Sequence, residues 1–485
     1  MAGVYGIVTA LSRRTGVSRQ TLYTWRAHGQ AALLAACTPA PPVPASPPLA
    51  RAILTLWAAG HASYRGIQAA LPALGYDAVS LGTITAVCAE AQTRALAWFA
   101  TAAPPTPRSL ALDEIYGGTR NHGYCSVIDV HSSALWVASG QLPVDTDTWT
   151  LVLWQAQEQG LRWSDFVSDG GAAIHAACGA VAPTIPHQRD VWHVLHRCAQ
   201  TQARLDRYLN SLEAQATRAA QYATRRAAGE RPRGRVPQVP ALLPGARQTA
   251  TAFHYLSGDL HDLLGMVVLR QGRLLDRAAR LAEWAAGQAL LRELTAQAPA
   301  AMQAELRAVL TYLTDAVPAA LVFTAALEAI QAAAAGGLGA AGLGLVAWAW
   351  QRRAVLAPQG EDWLGDLPVA WQPLARRVVA AWETVPRASS AVENWHSLLR
   401  PHLAVHRELG AGLLALLGVW HNHRVFARGA HRGQSPLHLS GLREAPVDWL
   451  VALGYPPVVG NGLHLVAGTN RPPAPPLPLR LAAAA

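Results

Sequence analysis

The sequence predicts an α/β protein: a mixed five-stranded sheet flanked by helices, preceded by small helical units and interrupted by a large all-helical insertion. Three observations lead there. A helical texture gives way at Arg108 to short alternating segments. Strand and helix patterns then take turns as far as Gln188, and between Asp190 and Arg387 no segment reads as a strand. The chain has 485 residues, too many for one ordinary core, and 51% of them are apolar, which excludes a disordered polymer.

Proline clusters set the boundaries, because they continue neither helices nor central strands. Residues 38–48 (TPAPPVPASPP) and 102–107 (AAPPTP) are linkers, and Glu230 to Pro244 is a further break. The resulting division is 1–37, 49–101, 108–201, 202–387, 388–445 and a proline-rich tail at 446–485.

In the first unit, Leu11 to Gly29 reads as a short helix, a turn at Gly16 and a second helix capped by Ser18. Leu22 and Trp25 share its inner face, leaving Arg19, Gln20 and Thr24 outward, which is the pattern of a helix-turn-helix facing the major groove. Residues 49–101 repeat the scheme, with helices near Arg51 to Ala59 and Tyr64 to Leu74, then Ser80 capping a third with Ile84, Val87 and Cys88 inward. Plain helical packing is the competing reading for both units.

Strands are expected at Ser109 to Asp113, Tyr124 to Val130 and Leu135 to Ser139, with Gly117, Gly118 and Gly123 in the first turn. A helix at Thr148 to Gln159 and a strand at Asp165 to Ser168 run on to Asp169-Gly170-Gly171, followed by a helix and a strand near Thr184 to Gln188. Three antiparallel strands and then alternating helices and strands is the order of a ribonuclease H-like sheet. After the insertion a helix is expected from Ser390 to Leu399.

The balance of 40 basic against 30 acidic residues gives a net charge of +10, and every cation is arginine. That favours a polyanionic partner and suits phosphate, although a GC-biased codon usage would produce the same preference. Five cysteines, at 37, 88, 125, 178 and 198, form no C-x-x-C pair, which suggests a reducing, cytoplasmic compartment. Arg13 and Arg14 follow a short mixed stretch, and no secretory signal is expected. Ala329 to Trp350 is uncharged and long enough to span a bilayer, but Ala, Gly and Gln dominate it, so a packed helix is expected and no membrane partner.

Three acids fall at the ends of these elements: Asp113 on the first strand, Asp169 after the fourth, and Glu393 on the late helix. Carboxylates brought together repel and raise one another's pKa unless cations sit between them, so such a trio suits two Mg²⁺, or Mn²⁺ in their place. Taken singly, each has a plainer reading as a turn or solvated residue, and Glu114, Asp129 and Asp165 compete for the same role. Cys178, His193, His196 and Cys198 invite a zinc site, but their spacing matches no common structural one. Trp192, Trp382 and Trp395 suit either core packing or stacking on a flipped base.

LALDEIY around Asp113, FVSDGG around Asp169 and SSAVENWHSLLR around Glu393 make residues 108–200 and 388–440 resemble the catalytic core of DDE/DDD-type insertion-sequence transposases. The long separation of Asp169 from Glu393 resembles the helical insertion of Mutator-like and hAT-like transposases. Asp190-Val191-Trp192-His193 is similar to a motif of those families, and the resemblance implies that His193 lies near the active site and positions DNA or a catalytic residue. His421 to Gly441 resembles the end of bacterial transposase domains, which implies phosphate contacts for Arg424, Arg428 and Arg432.

The resemblance implies a DNA transposase that binds the terminal inverted repeats of a bacterial mobile element and catalyses Mg²⁺-dependent strand cleavage and transfer. Its partners would be the double-stranded DNA of the element ends and target, with a homodimer or larger oligomer assembled on nucleoid DNA. A non-catalytic regulator derived from a transposase and a ribonuclease H-like structure-specific nuclease are the alternatives.

Overall fold

The computed structural model describes residues 7–37, 49–77, 79–104, 106–231, 236–270, 273–356, 362–429 and 431–457. The linker at 38–48, part of the break after Glu230 and the tail from residue 458 lie outside them.

The chain opens with α1 (Ile7–Thr15) and α2 (Arg19–Cys37). Gly16 makes the turn between them at φ +70°, and Ser18 Oγ accepts from the Thr21 amide at 3.1 Å to cap α2. Leu22 is buried, but Trp25, expected beside it, is 59% exposed. Three residues turn a helix by about 300°, and the face that one partner helix covers is too narrow to shelter both.

Three helices follow: α3 (Leu49–Ala58), α4 (Tyr64–Ala70) and α5 (Leu81–Thr101), with Ser63 capping α4 and Ser80 capping α5. The sheet domain then runs β1 (Arg108–Tyr116), β2 (His122–Asp129), β3 (Leu135–Pro143), α6 (Thr146–Glu158), β4 (Trp163–Ser168), α7 (Ala172–Val181) and β5 (His187–Arg189). The insertion comprises α8 (Val191–Ala227), α9 (Leu243–Leu263), a hairpin of β6 (Leu269–Arg270) and β7 (Arg273–Leu274), α10 (Arg277–Gln297), α11 (Ala300–Ala320), α12 (Thr324–Leu356) and α13 (Gln372–Glu383). The chain returns through α14 (Ser390–Val405), α15 (Ala411–His423), α16 (Pro436–Leu439) and α17 (Trp449–Ala452).

The sheet order is β3-β2-β1-β4-β5, with β1, β2 and β3 antiparallel and β1, β4 and β5 parallel. β1 is central, and its consecutive Leu110, Ala111 and Leu112 are all fully buried because helices cover both faces. On one face α6 and α7 pack through Trp149, Leu153 and Ile174.

The other face carries α14 and α15 together with α3, α4 and α5. Trp57, Ile84 and Cys88 share one core with Ile128, Leu135, Trp395 and Leu416. Residues 49–101 therefore do not form a free-standing unit beside the sheet but one of its layers. The contact is close: a Cβ on Gly418 of α15 would lie 2.7 Å from Phe99 and 2.8 Å from Leu135.

The insertion departs from expectation in its starting boundary and in not being wholly helical. α8 begins at Val191 and runs unbroken from the edge of the sheet into the insertion, and β6 pairs with β7 between α9 and α10. The hairpin approach is held by buried Arg280, whose guanidinium donates to the carbonyls of Leu263, Gly265 and Met266 at 3.0, 2.6 and 3.1 Å. Ala300–Leu356 is long and apolar enough to cross a membrane, yet Leu306, Leu313, Leu338 and Val346 pack in the insertion core, and Gly339 at φ +65° breaks α12. Gln188 joins insertion to sheet: its amide group donates to Ala320 O at 2.6 Å and accepts from the Phe323 amide at 2.7 Å.

Candidate metal centre

The parallel register Ala111 to Val167 and Leu112 to Ser168 places Asp113 and Asp169 side by side where β1 and β4 part. Asp113 Oδ1 accepts from the Glu114 amide at 2.9 Å, and Asp169 Oδ1 accepts from the Gly171 amide at 2.8 Å. Gly170 holds φ +86° and lies so close to Arg189 that a Cβ would meet its guanidinium at 2.6 Å. Arg189 Nε in turn donates to Asp169 O at 3.1 Å, fixing the loop against β5.

α14 completes the group. Trp395, fully buried, donates from Nε1 to Ser126 Oγ at 3.0 Å and so pins the helix to β2. With that anchor, Glu393 and His396, one turn apart, face β1. Asp113, Glu393 and His396 each offer a ligand atom, and these atoms lie within 4.8 Å of one another. Asp113 comes from a strand and Glu393 from a helix on the far side of the insertion, so only folding brings them together.

The electrostatics match a cation site. Burial, then the charges of Asp169 and Glu114, push the Asp113 carboxyl up to about 7. Burial pushes His396 down to about 4, so its imidazole is neutral at pH 7, the form that binds a metal. His396 Nδ1 is 3.7 Å from Asp113 Oδ2, and its Nε2 is buried without a hydrogen-bond partner. Glu393, half exposed, has Arg400 at 3.3 Å. Two carboxylates and a neutral imidazole can hold a divalent ion; Asp169, expected as the third carboxylate ligand, lies close enough for its charge to reach Asp113 but is not one of the three residues within ligand reach of one another. His396 was missed in the sequence, where its only signal is the Glu393-x-x-His396 spacing, which aligns two ligands on one helical face.

Behind this group lies a clasp at Asp190, which is 2% exposed. Its carboxylate accepts from the Trp192 amide at 2.6 Å, capping α8, and from the Ser389 amide and Oγ at 2.8 and 2.5 Å, just before α14 begins. His193 Nδ1 lies 3.3 Å from the same carboxylate. Although burial works the other way, the nearby His193 imidazole and the hydrogen bonds of Ser389 bring Asp190 below the usual carboxylate range. Asp190 raises the pKa of His193 against its burial, with smaller contributions from the charges of Asp169 and Asp113.

The competing acids have other work. Asp129 accepts from the His131 and Ser132 amides and holds the β2–β3 turn, while Asp165 accepts from the hydroxyls of Ser109 and Ser164. Glu114 projects from the opposite side of β1, with Oε2 buried and unpartnered. Cys178 and Cys198 pack in separate cores, and among the described residues they join no metal-binding group. Trp382 and Trp395 are fully buried, whereas Trp192 is 53% exposed and stacks on His196 with ring centroids 4.6 Å apart.

Arg19, Gln20 and Thr24 are exposed on the first turns of α2, as are Arg428 and Arg432 in the segment after α15. Arg424 is placed differently from Arg428 and Arg432. It is half-buried, its guanidinium lies 5.5 Å from the centroid of the Trp420 ring, and it donates to Asn394 Oδ1 at 3.4 Å, so it braces α14. A cavity of about 390 Å³ opens beside the acidic group, lined by Tyr116, Gly117, Gly118, Arg400 and Arg407. Compared with known proteins, the chain matches no family model and no curated protein.

Proposed function

We propose that the chain is a DNA transposase of the DDE type, with a ribonuclease H-like catalytic domain that cuts and joins strands at the ends of a mobile element. The observation that carries this reading is the meeting of Asp113 and Glu393 within ligand reach, beside Asp169, at the parting of two central parallel strands. Asp113, Asp169 and Glu393 would hold Mg²⁺, or Mn²⁺, and the nitrogen of His396 widens the set toward Mn²⁺. The His396 Nδ1 facing Asp113 and the raised Asp113 pKa fit such a cation. When bound, the ions supply an activated attacking oxygen and charge neutralisation at the leaving oxygen.

The protein's own residues do the rest. Asp113 gives up its proton as the cation binds. Arg400 and Arg407 in the adjoining cavity take the phosphates of the strand, and the exposed ring of Tyr116 offers a stacking face. His193, held by Asp190, keeps the start of α8 and the approach to α14 in register behind the carboxylates. The exposed first turns of α2 would read the terminal repeat.

The test is labelled terminal-repeat DNA incubated with the full chain and Mg²⁺. Cleavage followed by joining to target DNA supports a transposase, cleavage without joining a nuclease of the same fold, and retention alone a DNA-binding regulator.

A further inference from the structure

A second group of metal-ligating side chains lies on the far side of β4, away from α14. His175, exposed on α7, and His187, half-buried on β5, place their Nδ1 atoms 3.3 Å apart, with the rings stacked at 25°. At 3.3 Å the pair is at the long end of hydrogen-bonding distance. Two imidazoles on one tetrahedral ion, with metal-to-nitrogen bonds of about 2.0–2.1 Å, stand about 3.3 Å apart.

The inner ring is already oriented as a ligand. His187 Nε2 lies 2.8 Å from Ser168 Oγ, which also accepts from the Gly170 amide at 3.1 Å. A partner on the remote ring nitrogen fixes tautomer and direction in metal-bound histidines. Burial holds His187 neutral, the charge of Asp169 reaches it favourably for a cation, and the charge of Arg189 opposes it. His175, on the surface, can turn its ring onto a shared ion.

We propose that His175 and His187 form a separate binding site for a late first-row divalent ion, Zn²⁺ foremost, with water completing the shell. Its all-nitrogen donor set selects against Mg²⁺. Through Ser168 and Gly170 the site touches the loop that carries Asp169, so occupancy bears on the carboxylate centre without sharing a ligand with it.

The experiment is calorimetric titration of the full chain with Zn²⁺ in excess Mg²⁺, on the Asp113→Asn/Glu393→Gln background, which disables the carboxylate centre. One Zn²⁺ per chain is expected there, weakened at least about tenfold by adding His175→Ala, a surface change that leaves the circular dichroism spectrum unaltered. Cu²⁺ bound to the same background should show nitrogen hyperfine coupling in electron paramagnetic resonance, lost with His175→Ala. Zn²⁺ binding that is absent on this background, or unchanged by His175→Ala, overturns the proposal.

Discussion

Removal of the Asp190 carboxylate tests how the insertion is tied to the site. In Asp190→Ala, the Trp192 and Ser389 amides and the Ser389 hydroxyl lose an acceptor that they meet at 2.6, 2.8 and 2.5 Å in a site 2% exposed. Hydrogen bonds to a charged group contribute about 1.5–3 kcal/mol each, and breaking a buried ionic network costs about 3–5 kcal/mol, which is the expected loss. Asp190→Asn keeps an acceptor and should lose about 1–2 kcal/mol. At about 1.4 kcal/mol per factor of ten, native-state hydrogen exchange at the first turns of α8 and α14 should quicken about a hundredfold or more in the alanine variant.

The pH dependence has a definite sign. Asp190 titrates below its ordinary value, so its contribution is present above the unfolded carboxylate pKa and fades as pH falls through the folded one. His193 titrates above its ordinary value, so its share is full below the unfolded imidazole pKa and fades as pH rises through the folded one. The gap between wild type and Asp190→Ala should therefore be widest between these two limits. Exchange within threefold of wild type in Asp190→Ala would refute the clasp.

Asp169→Asn and Glu393→Gln should each slow strand cleavage more than about a hundredfold while leaving DNA retention at low salt intact, and a variant that cuts normally removes its residue from the centre. Asp113 has a folded pKa of about 7 against 3.8 for the free side chain, so its charge costs stability increasingly as pH rises between those values. Asp113→Asn should accordingly raise the melting temperature of the metal-free protein at pH 8 but not at pH 4. His396→Ala should weaken divalent-ion binding about 10–100-fold, read by calorimetry; unchanged affinity excludes the ring as a ligand. Deleting residues 1–48 should abolish preference for the terminal repeat in gel shifts yet leave the sheet folded, since the core made with Trp57 and Ile84 survives.

Elements whose signal is local were legible in the sequence. Ser18 and Ser80 cap helices because a hydroxyl meets the amide three residues on, and the strands at Leu110 and Phe166 follow from short apolar runs between turns. Asp113, Asp169 and Glu393 were named from their places at element ends. What pattern could not show was which surface covers which. Trp25 and the helix at Ile84 carry similar inward-facing spacing, yet one is exposed and the other buried against a sheet whose strands lie further along the chain.

The sequence by itself determined the order of strands and helices in the sheet domain, because that order depends on neighbours a few residues away. Only the tertiary structure decided that residues 49–101 form a layer of the sheet domain, that Arg424 braces α14, and that His396 joins Asp113 and Glu393. Those outcomes depend on contacts between remote segments, where packing geometry and desolvation, rather than local propensity, choose the partner.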